Sequence, residues 1–139
     1  MIILSSMQLN FKQFKFKTFT NTGISLTPVE LKDFIDFEVK RLYYVTDFTM
    51  STGQHCHYKE IEFFICQRGT MTAVIDRGNG KEEIPMTAGD AMYVGNHVWH
   101  GFQDASSDGV LLALSSTNYS PDRSDYLTDY EGYQKLIKG

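Results

Sequence analysis

Short segments in which apolar and polar residues alternate, separated by turn residues, make up most of this chain. Between two of them, Arg77-Gly78-Asn79-Gly80 is typical of a β-hairpin turn. Many short strands with turns at intervals of about 8–12 residues indicate an all-β sandwich or barrel. A chain of 139 residues with 42% hydrophobic composition can bury one core of this kind. We therefore predict a single all-β domain over residues 1–139.

The strand predictions rest on period-two alternation or on runs of β-forming residues. They cover 14–17, 39–46, 61–66, 71–76, 83–86, 91–94 and 110–115. The alternating Phe and Lys residues of 14–17 suit a strand at a sheet edge or a subunit boundary. Residues 27–37 fit a short helix or an irregular segment. In the C-terminal part, Tyr126, Tyr130 and Tyr133 recur at helical spacing, which predicts one helix within 124–138.

Charge and cysteine content limit the partners and the location that we expect. The formal net charge is −4 and no basic stripe is present, which argues against nucleic acid as a partner. Residues 1–4 form an apolar stretch too short for a signal sequence or a membrane span. We expect a cytoplasmic protein without a membrane partner, in which Cys56 and Cys66 are free thiols packed in the core.

The motif with the most chemistry is His55-Cys56-His57, which holds two of the four histidines. On a β-strand, side chains at positions i and i+2 point to the same face, so both imidazoles would project into one space and Cys56 would face away. Such a pair can bind a metal ion. It can also transfer protons near neutral pH, because imidazole titrates at about 6.5. The motif alone leaves both chemistries open.

Spacing at seven positions resembles the two motifs of the cupin superfamily: His55, His57, Glu62 and Gly69 for the first, and Gly89, Gly95 and His100 for the second. The second motif departs at Gly95, where proline is usual, and at His97, where glycine is usual. The resemblance implies a jelly-roll barrel in which the two motifs meet. Since cupins carry many chemistries, it does not fix the function.

A narrower resemblance, over roughly residues 39–135, is to the nucleotide-sugar 3,4-ketoisomerases that act on dTDP-4-keto-6-deoxyglucose. It is carried by Arg41-Leu42-Tyr43-Tyr44-Val45, Gly53-x-His55-x-His57-x-Lys59, Tyr93-Val94-Gly95-x-x-Val98-Trp99-His100 and Ser124-Asp125-Tyr126. Thr52 and Tyr58 replace an arginine and a lysine of that family, and Glu62 replaces a glutamine. Those enzymes resemble cupins that have lost the metal. Glu62 therefore restores the missing type of ligand.

The resemblance implies an isomerase that moves the keto group from C4 to C3 through an enediolate, without a cofactor, for the synthesis of 3-amino-3,6-dideoxy sugars. His55 and His57 would share the proton transfers. The predicted substrate-binding residues are Arg41, Tyr43, Lys59, Glu62, Tyr93, Trp99 and His100. Arg41 would pair with the pyrophosphate, because guanidinium binds phosphate in a bidentate way. The resemblance also implies a homodimer in which N-terminal strands are exchanged.

Two alternatives stay open. The first is a metal-dependent cupin, either a dioxygenase or an isomerase, that uses His55, His57, Glu62 and His100 as ligands. The second is a non-catalytic module that binds a nucleotide sugar. The order in which the two paired histidines act, the C4 stereochemistry of the product and the base of the nucleotide are not determined by the sequence.

Overall fold

A computed structural model describes residues 9–139 of the chain. Residues 1–4, on which the prediction about a leader rests, lie outside the described residues. In chain order the elements are β1 (Phe11–Lys15), β2 (Phe19–Asn21), β3 (Ile24–Leu26), β4 (Arg41–Val45), β5 (Cys56–His57), β6 (Glu62–Arg68), β7 (Thr70–Asp76), β8 (Lys81–Thr87), β9 (Asp90–Val94), β10 (Trp99–Gln103), β11 (Val110–Ser115), β12 (Tyr126–Leu127) and α1 (Tyr130–Lys138).

The strands form two layers. One is a five-stranded antiparallel sheet in the order β1-β9-β6-β11-β4. The other contains β10-β7-β8 and the short pair β12-β5. A bridge joins these two parts, because the backbone N–H of His55 donates to the carbonyl of His100 at 3.0 Å and that of His100 donates back at 2.9 Å. The prediction of an all-β sandwich with a short C-terminal helix is confirmed.

The five-stranded sheet is covered on both faces, which explains why β6 and β11 are almost continuously apolar. On β6, Phe64 faces the interior between the two layers, whereas Phe63 faces outward. The outward face is covered by the irregular segment that was predicted over 27–37, which contains one 3₁₀ turn at Leu31–Asp33. In this segment Phe34 packs on Phe63, with their ring centroids 6.0 Å apart. Glu62 therefore shares the inward face with Phe64.

The hairpin follows the sequence prediction, whereas the edge strand predicted over 14–17 begins earlier and ends at Lys15. β7 and β8 pair across the turn at 77–80, where Gly78 and Gly80 adopt positive φ angles of 107° and 90°. Such angles are open to glycine because it has no Cβ. β1 forms one edge of the five-stranded sheet, and Lys15 binds Asp90 there at 3.1 Å.

The C-terminal helix is shorter than predicted. It begins at Tyr130, where the side chain of Asp129 caps it by accepting a hydrogen bond from the backbone N–H of Gly132 at 3.1 Å. The prediction was wrong for 124–129, because Tyr126 pairs with His57 in the β12-β5 ladder. Tertiary hydrogen bonds outweigh the local helical spacing here. No helix within 9–139 is both long enough and apolar enough to cross a bilayer.

Candidate active site

The paired histidines of β5 meet inside the sandwich. His55 and His57 project to the same side, and their Nε2 atoms are 3.1 Å apart. Cys56 points the opposite way and is buried against Trp99 and Tyr133. The shared face that strand geometry predicted for the two imidazoles is therefore confirmed. Burial also raises the pKa of the Cys56 thiol to about 12, so this thiol is unreactive at neutral pH.

His100 completes a cluster of three imidazoles. Its ring centroid lies 4.7 Å from that of His55 and 5.6 Å from that of His57. Its Nδ1 is 2.9 Å from the carbonyl oxygen of Val98, which can only accept, so Nδ1 carries the proton. In His55, Nδ1 likewise donates to the carbonyl of Gly53 at 3.2 Å. In each ring Nε2 is then the atom that can take up a proton, and that of His55 faces His57 Nε2.

Glu62 faces this cluster from β6 and is 1% exposed. Its Oε2 accepts a hydrogen bond from the Tyr43 hydroxyl. Its Oε1 lies 3.1 Å from His57 Nε2 and 3.3 Å from His100 Nε2. Neither contact has the geometry of a hydrogen bond, so Glu62 Oε1 and His100 Nε2 are buried without a partner in the described structure. Buried polar atoms are rarely left unpaired, which marks these atoms as ligand-facing.

The surroundings drive the pKa values of the two paired histidines in opposite directions. Burial lowers the pKa of His55 to about 3, with further lowering from His100 and His57. Burial also acts to lower the pKa of His57, but the contacts with Glu62, Glu60 and Asp125 outweigh it and the pKa is raised. The pKa of Glu62 is lowered, because its contacts with His100 and His57 outweigh its burial. Two neighbouring groups whose pKa values are shifted in opposite directions can divide the roles of acid and base.

Two further carboxylates lie behind His57, on the side of Nδ1. An oxygen of Glu60 and one of Asp125 are each 3.5 Å from this atom. Glu60 is buried and binds Arg41 at 2.8 Å and the Ser115 hydroxyl at 2.6 Å. Asp125 accepts hydrogen bonds from the backbone N–H groups of 59 and 60. His57 is therefore held between carboxylates on both of its ring nitrogens.

Two cavities open beside this cluster. The histidine cavity has a volume of about 300 Å³ and is lined by residues that include Tyr43, His55, Phe64, His100, Arg123 and Tyr126. The arginine cavity has a volume of about 630 Å³ and is lined by residues that include Arg41, Lys59, Glu60, Tyr119, Asp125 and Tyr126. Tyr126 lines both cavities, and its ring packs on His55 and His57 at centroid distances of 4.9 and 4.5 Å. His57 is buried and does not line the histidine cavity itself, and its Nε2 contacts the Nε2 of His55, which does.

The cluster also has the composition of a metal site. One donor atom from each of His55, His57, Glu62 and His100 lies within 4.8 Å of all the others. Imidazole and carboxylate ligands bind divalent transition metals at about 2.0–2.2 Å, so two ligands of one ion lie roughly 3 Å apart. The unpartnered Glu62 Oε1 and His100 Nε2 would gain a partner. These residues fit a divalent metal.

Known proteins resemble the chain over almost its full length. The WxcM-like, C-terminal family matches residues 9–138. A TDP-4-oxo-6-deoxy-α-D-glucose 3,4-oxoisomerase of Aneurinibacillus thermoaerophilus is 34% identical over 129 residues, which cover 91% of each chain. The chain belongs to the WxcM-like family. The resemblance to nucleotide-sugar 3,4-ketoisomerases and the prediction of an isomerase are confirmed.

Solved structures agree with this family assignment. QdtA of Thermoanaerobacterium thermosaccharolyticum, a sugar 3,4-ketoisomerase crystallised with TDP, is 30% identical, with a TM-score of 0.82 over 95% of this chain and 97% of QdtA. A 3,4-ketoisomerase of Helicobacter canadensis is 25% identical, with a TM-score of 0.82 over 94% of this chain and 99% of its own. A mutant of QdtA was crystallised with TDP-4-keto-6-deoxyglucose. It is 30% identical, with a TM-score of 0.81 over 93% of this chain and 94% of that one.

In this WxcM-like protein most of the predicted site residues converge. Tyr43, Glu62 and His100 lie around the histidine pair, and Tyr44 faces away with 66% exposure, as strand alternation predicts. Arg41 and Lys59 line the neighbouring arginine cavity. One nitrogen of the Arg41 guanidinium, Nη2, donates to Glu60 at 2.8 Å and to the Ser115 hydroxyl at 3.5 Å.

Tyr93 and Trp99 lie elsewhere, so their predicted place in the site is corrected. Tyr93 packs on the outward face of the five-stranded sheet, and its hydroxyl donates to Asp36 at 2.7 Å. Trp99 packs under α1, and its Nε1 donates to Gln54 at 3.0 Å. On β10, Trp99 directly precedes His100, so only one of the two side chains can face inward. The sequence alone therefore contained the alternation that places Trp99 and His100 on opposite faces.

Five residues at the site were missed as such: Glu60, Ser115, Arg123, Asp125 and Tyr126. Glu60 has no pattern that separates it from an exposed charge. Tyr126 was assigned to the helix because its spacing to Tyr130 is helical. The quoted motif Ser124-Asp125-Tyr126 lies beside the site, and this was the only sequence signal for it.

Proposed function

We propose that this WxcM-like protein is an isomerase that converts a TDP-linked 4-keto-6-deoxy sugar into the 3-keto sugar. The observation that carries the proposal is the pair of imidazoles with Nε2 atoms 3.1 Å apart, at the wall of a cavity of about 300 Å³. The curated relative acts on TDP-4-oxo-6-deoxy-α-D-glucose, and a mutant of QdtA was crystallised with the same keto sugar. Cavities of about 300–1,000 Å³ commonly hold ligands of this size.

The 4-keto group makes the proton on C3 acidic. A base removes this proton, and the electron pair of the C3–H bond forms the enediolate with its charge on O4. A proton is then delivered to C4, the C3 hydroxyl loses its proton to become the ketone, and O4 becomes a hydroxyl. His55 faces the cavity and His57 lies directly behind it, so the two can share these transfers without a cofactor.

Tyr43 and His100 are placed to stabilise the enediolate. Both line the histidine cavity. A His100 ring that has taken up a proton on Nε2 would donate to the developing oxyanion, and the Tyr43 hydroxyl would do so by turning from Glu62, and such donors lower the barrier. Glu62 joins them, because it accepts from Tyr43 and lies beside His57 and His100. We assign Glu62 the task of orienting these rings and keeping His57 basic.

The two cavities suggest how the substrate lies. The hexose occupies the histidine cavity, and the nucleoside extends into the larger arginine cavity, past Tyr126. Tyr119 and Tyr58 offer aromatic surfaces there, and Lys59 offers an exposed positive charge. Arg41 contributes through its place in the wall of this cavity, where it also holds Glu60.

The test is incubation with TDP-4-keto-6-deoxyglucose in D₂O, followed by NMR of the product. We expect a 3-keto product with deuterium at C4, and the same turnover after treatment with a chelator. NMR of the product also determines the stereochemistry at C4. An unchanged substrate spectrum would overturn the proposal.

The metal-binding composition of the cluster supports a second candidate, a metal-assisted isomerase or dioxygenase. His55, His57, Glu62 and His100 would hold the ion, and a bound divalent metal would polarise an oxygen of the substrate as a Lewis acid. Metal analysis of protein purified without an affinity tag separates the two candidates. A stoichiometric metal whose removal abolishes turnover would favour this one.

We also propose a homodimer. The β2–β3 hairpin exposes Phe19, Ile24 and Leu26 at 52%, 67% and 59%, and a second copy could cover this apolar surface. In the described chain β1 pairs with β9 of the same chain, so the exchange of N-terminal strands stays a prediction. The cytoplasmic location, the single domain and the absence of nucleic-acid and membrane partners also stay predictions.

A further inference from the structure

Arg123 lies beside Tyr126, a residue that lines both cavities. It lines the histidine cavity, and its guanidinium stacks over the ring of Tyr126, with Cζ 4.1 Å from the ring centroid. Tyr126 lines both cavities and packs on the histidine pair with its ring. The ring of Tyr126 therefore contacts both the guanidinium and the two imidazoles.

The charge of Arg123 is available, unlike that of Arg41. Arg41 binds Glu60 at 2.8 Å, and this pair is largely buried. Among the described residues, Arg123 takes part in no ion pair and its side chain is exposed. An arginine without a carboxylate partner at the mouth of a cavity is suited to bind an anion, because guanidinium binds phosphate oxygens in a bidentate way.

The backbone around Arg123 is fixed before any ligand binds. Arg123 has a φ of +56°, an uncommon angle for a residue with a Cβ. Two turn hydrogen bonds hold it there, from its own N–H to the carbonyl of Ser120 and from the N–H of Tyr126 to its carbonyl, both at 3.1 Å. Asp125, two residues on, is anchored to the backbone of 59 and 60. A backbone that is ordered before binding loses less entropy on binding than a mobile one.

We propose that Arg123 binds the diphosphate of the nucleotide sugar at the junction of the two cavities. The proposal rests on the proposed function, because the diphosphate joins a hexose in the histidine cavity to a nucleoside in the arginine cavity. The anion-binding role that the family resemblance implied for Arg41 thereby passes to a residue in the C-terminal segment.

The test compares wild type with R123Q, R123K and a matched control, R68Q. Arg68 is also an exposed arginine, but it lies at the end of β6 and contacts Asp108. Calorimetry with TDP and TMP as probes measures how much the second phosphate adds to binding. We expect R123Q to weaken TDP binding roughly 10- to 100-fold and to lose most of the preference for TDP over TMP. R123K should keep part of it, and R68Q should bind like wild type.

Kinetics give an independent readout with TDP-4-keto-6-deoxyglucose as substrate. We expect R123Q to lower kcat/KM chiefly through a higher KM. Wild-type turnover together with unchanged TDP binding in R123Q would overturn this inference and leave the proposed function intact. If wild type neither binds TDP nor turns over the keto sugar, both fail.

Discussion

Two carboxylates are equally buried in this protein and have opposite surroundings. Asp76, at the end of β7, and Glu62, at the start of β6, are each 1% exposed. Both oxygens of Asp76 are paired with fixed donors: Oδ1 accepts from the backbone N–H of Gly78 at 2.8 Å, and Oδ2 from the hydroxyl of Tyr130 at 2.6 Å. Oε1 of Glu62 has no hydrogen bond and faces two imidazoles.

This difference marks Asp76 as a structural carboxylate and supports the role proposed for Glu62. Asp76 fastens α1 to the sandwich, since its backbone carbonyl also accepts from the hydroxyl of Tyr133 at 3.0 Å. Oδ2 and the backbone carbonyl of Asp76 therefore both accept hydrogen bonds from α1. Oε1 of Glu62, in contrast, is an acceptor without a hydrogen bond that lies beside two titratable rings. Burial by itself therefore says little about function, whereas an unpaired buried atom is informative.

The largest expected effect comes from H57N, which removes the imidazole next to Glu62. We expect kcat to fall about 10²- to 10⁴-fold, because one of the two groups that transfer protons is lost. NMR of product formation measures this, and circular dichroism checks the fold. H97N is the matched control, because the His97 ring contacts Asn96 in a loop outside the histidine cavity. Retained turnover in H57N would contradict the proposed role of His57 in proton transfer.

The variant D76N should act on stability and not on chemistry. An amide in this place turns one acceptor into a donor that faces the Tyr130 hydroxyl or the Gly78 N–H. We expect a loss of about 1–3 kcal/mol in the free energy of unfolding, measured with urea, and a kcat within about twofold of wild type. Y130F should lose less, because it removes only one hydrogen bond. If D76N were as stable as wild type, Asp76 would not have the structural role that distinguishes it from Glu62.

The variant E62Q should show the reverse pattern, with a smaller effect. Its amide oxygen can still accept from Tyr43, and glutamine is the residue that the family resemblance implies here. We expect kcat to fall by less than about tenfold through poorer orientation of the rings, with little change in stability. E131Q, on the exposed face of α1, is the matched control. Complete loss of turnover in E62Q would instead indicate that Glu62 takes a direct part in the chemistry.

Acid should destabilise the fold through the histidine cluster. His55 has an ordinary pKa of about 6.5 when unfolded and about 3 when folded, so between these values the unfolded chain binds more protons. Stability is therefore lost as the pH falls from about 6.5 toward 3. The lowered pKa of Glu62 adds to this loss below its ordinary value of 4.5. Urea midpoints across this window should fall less steeply for H55N than for wild type. Equal slopes would contradict the low pKa of His55.

The strands and the histidine cluster could be predicted from the sequence, because both depend on local rules. Period-two alternation places His55 and His57 on one face and separates Tyr43 from Tyr44, whatever the partner strands are. The motif spacing added Glu62 and His100. The same alternation rule, applied to Trp99 next to His100, would have removed Trp99 from the predicted site.

The tertiary structure alone decided the rest. The position of Tyr126 depends on pairing with His57, which is distant in the chain, and this pairing outweighs a local helical pattern. Glu60 and Asp125 become functional only because the fold brings both to Nδ1 of His57. Arg41 and Arg123 are chemically identical in the sequence. Only folding pairs one with Glu60 and leaves the other exposed at the cavity mouth, since charge pairing depends on distances that the order of residues does not set.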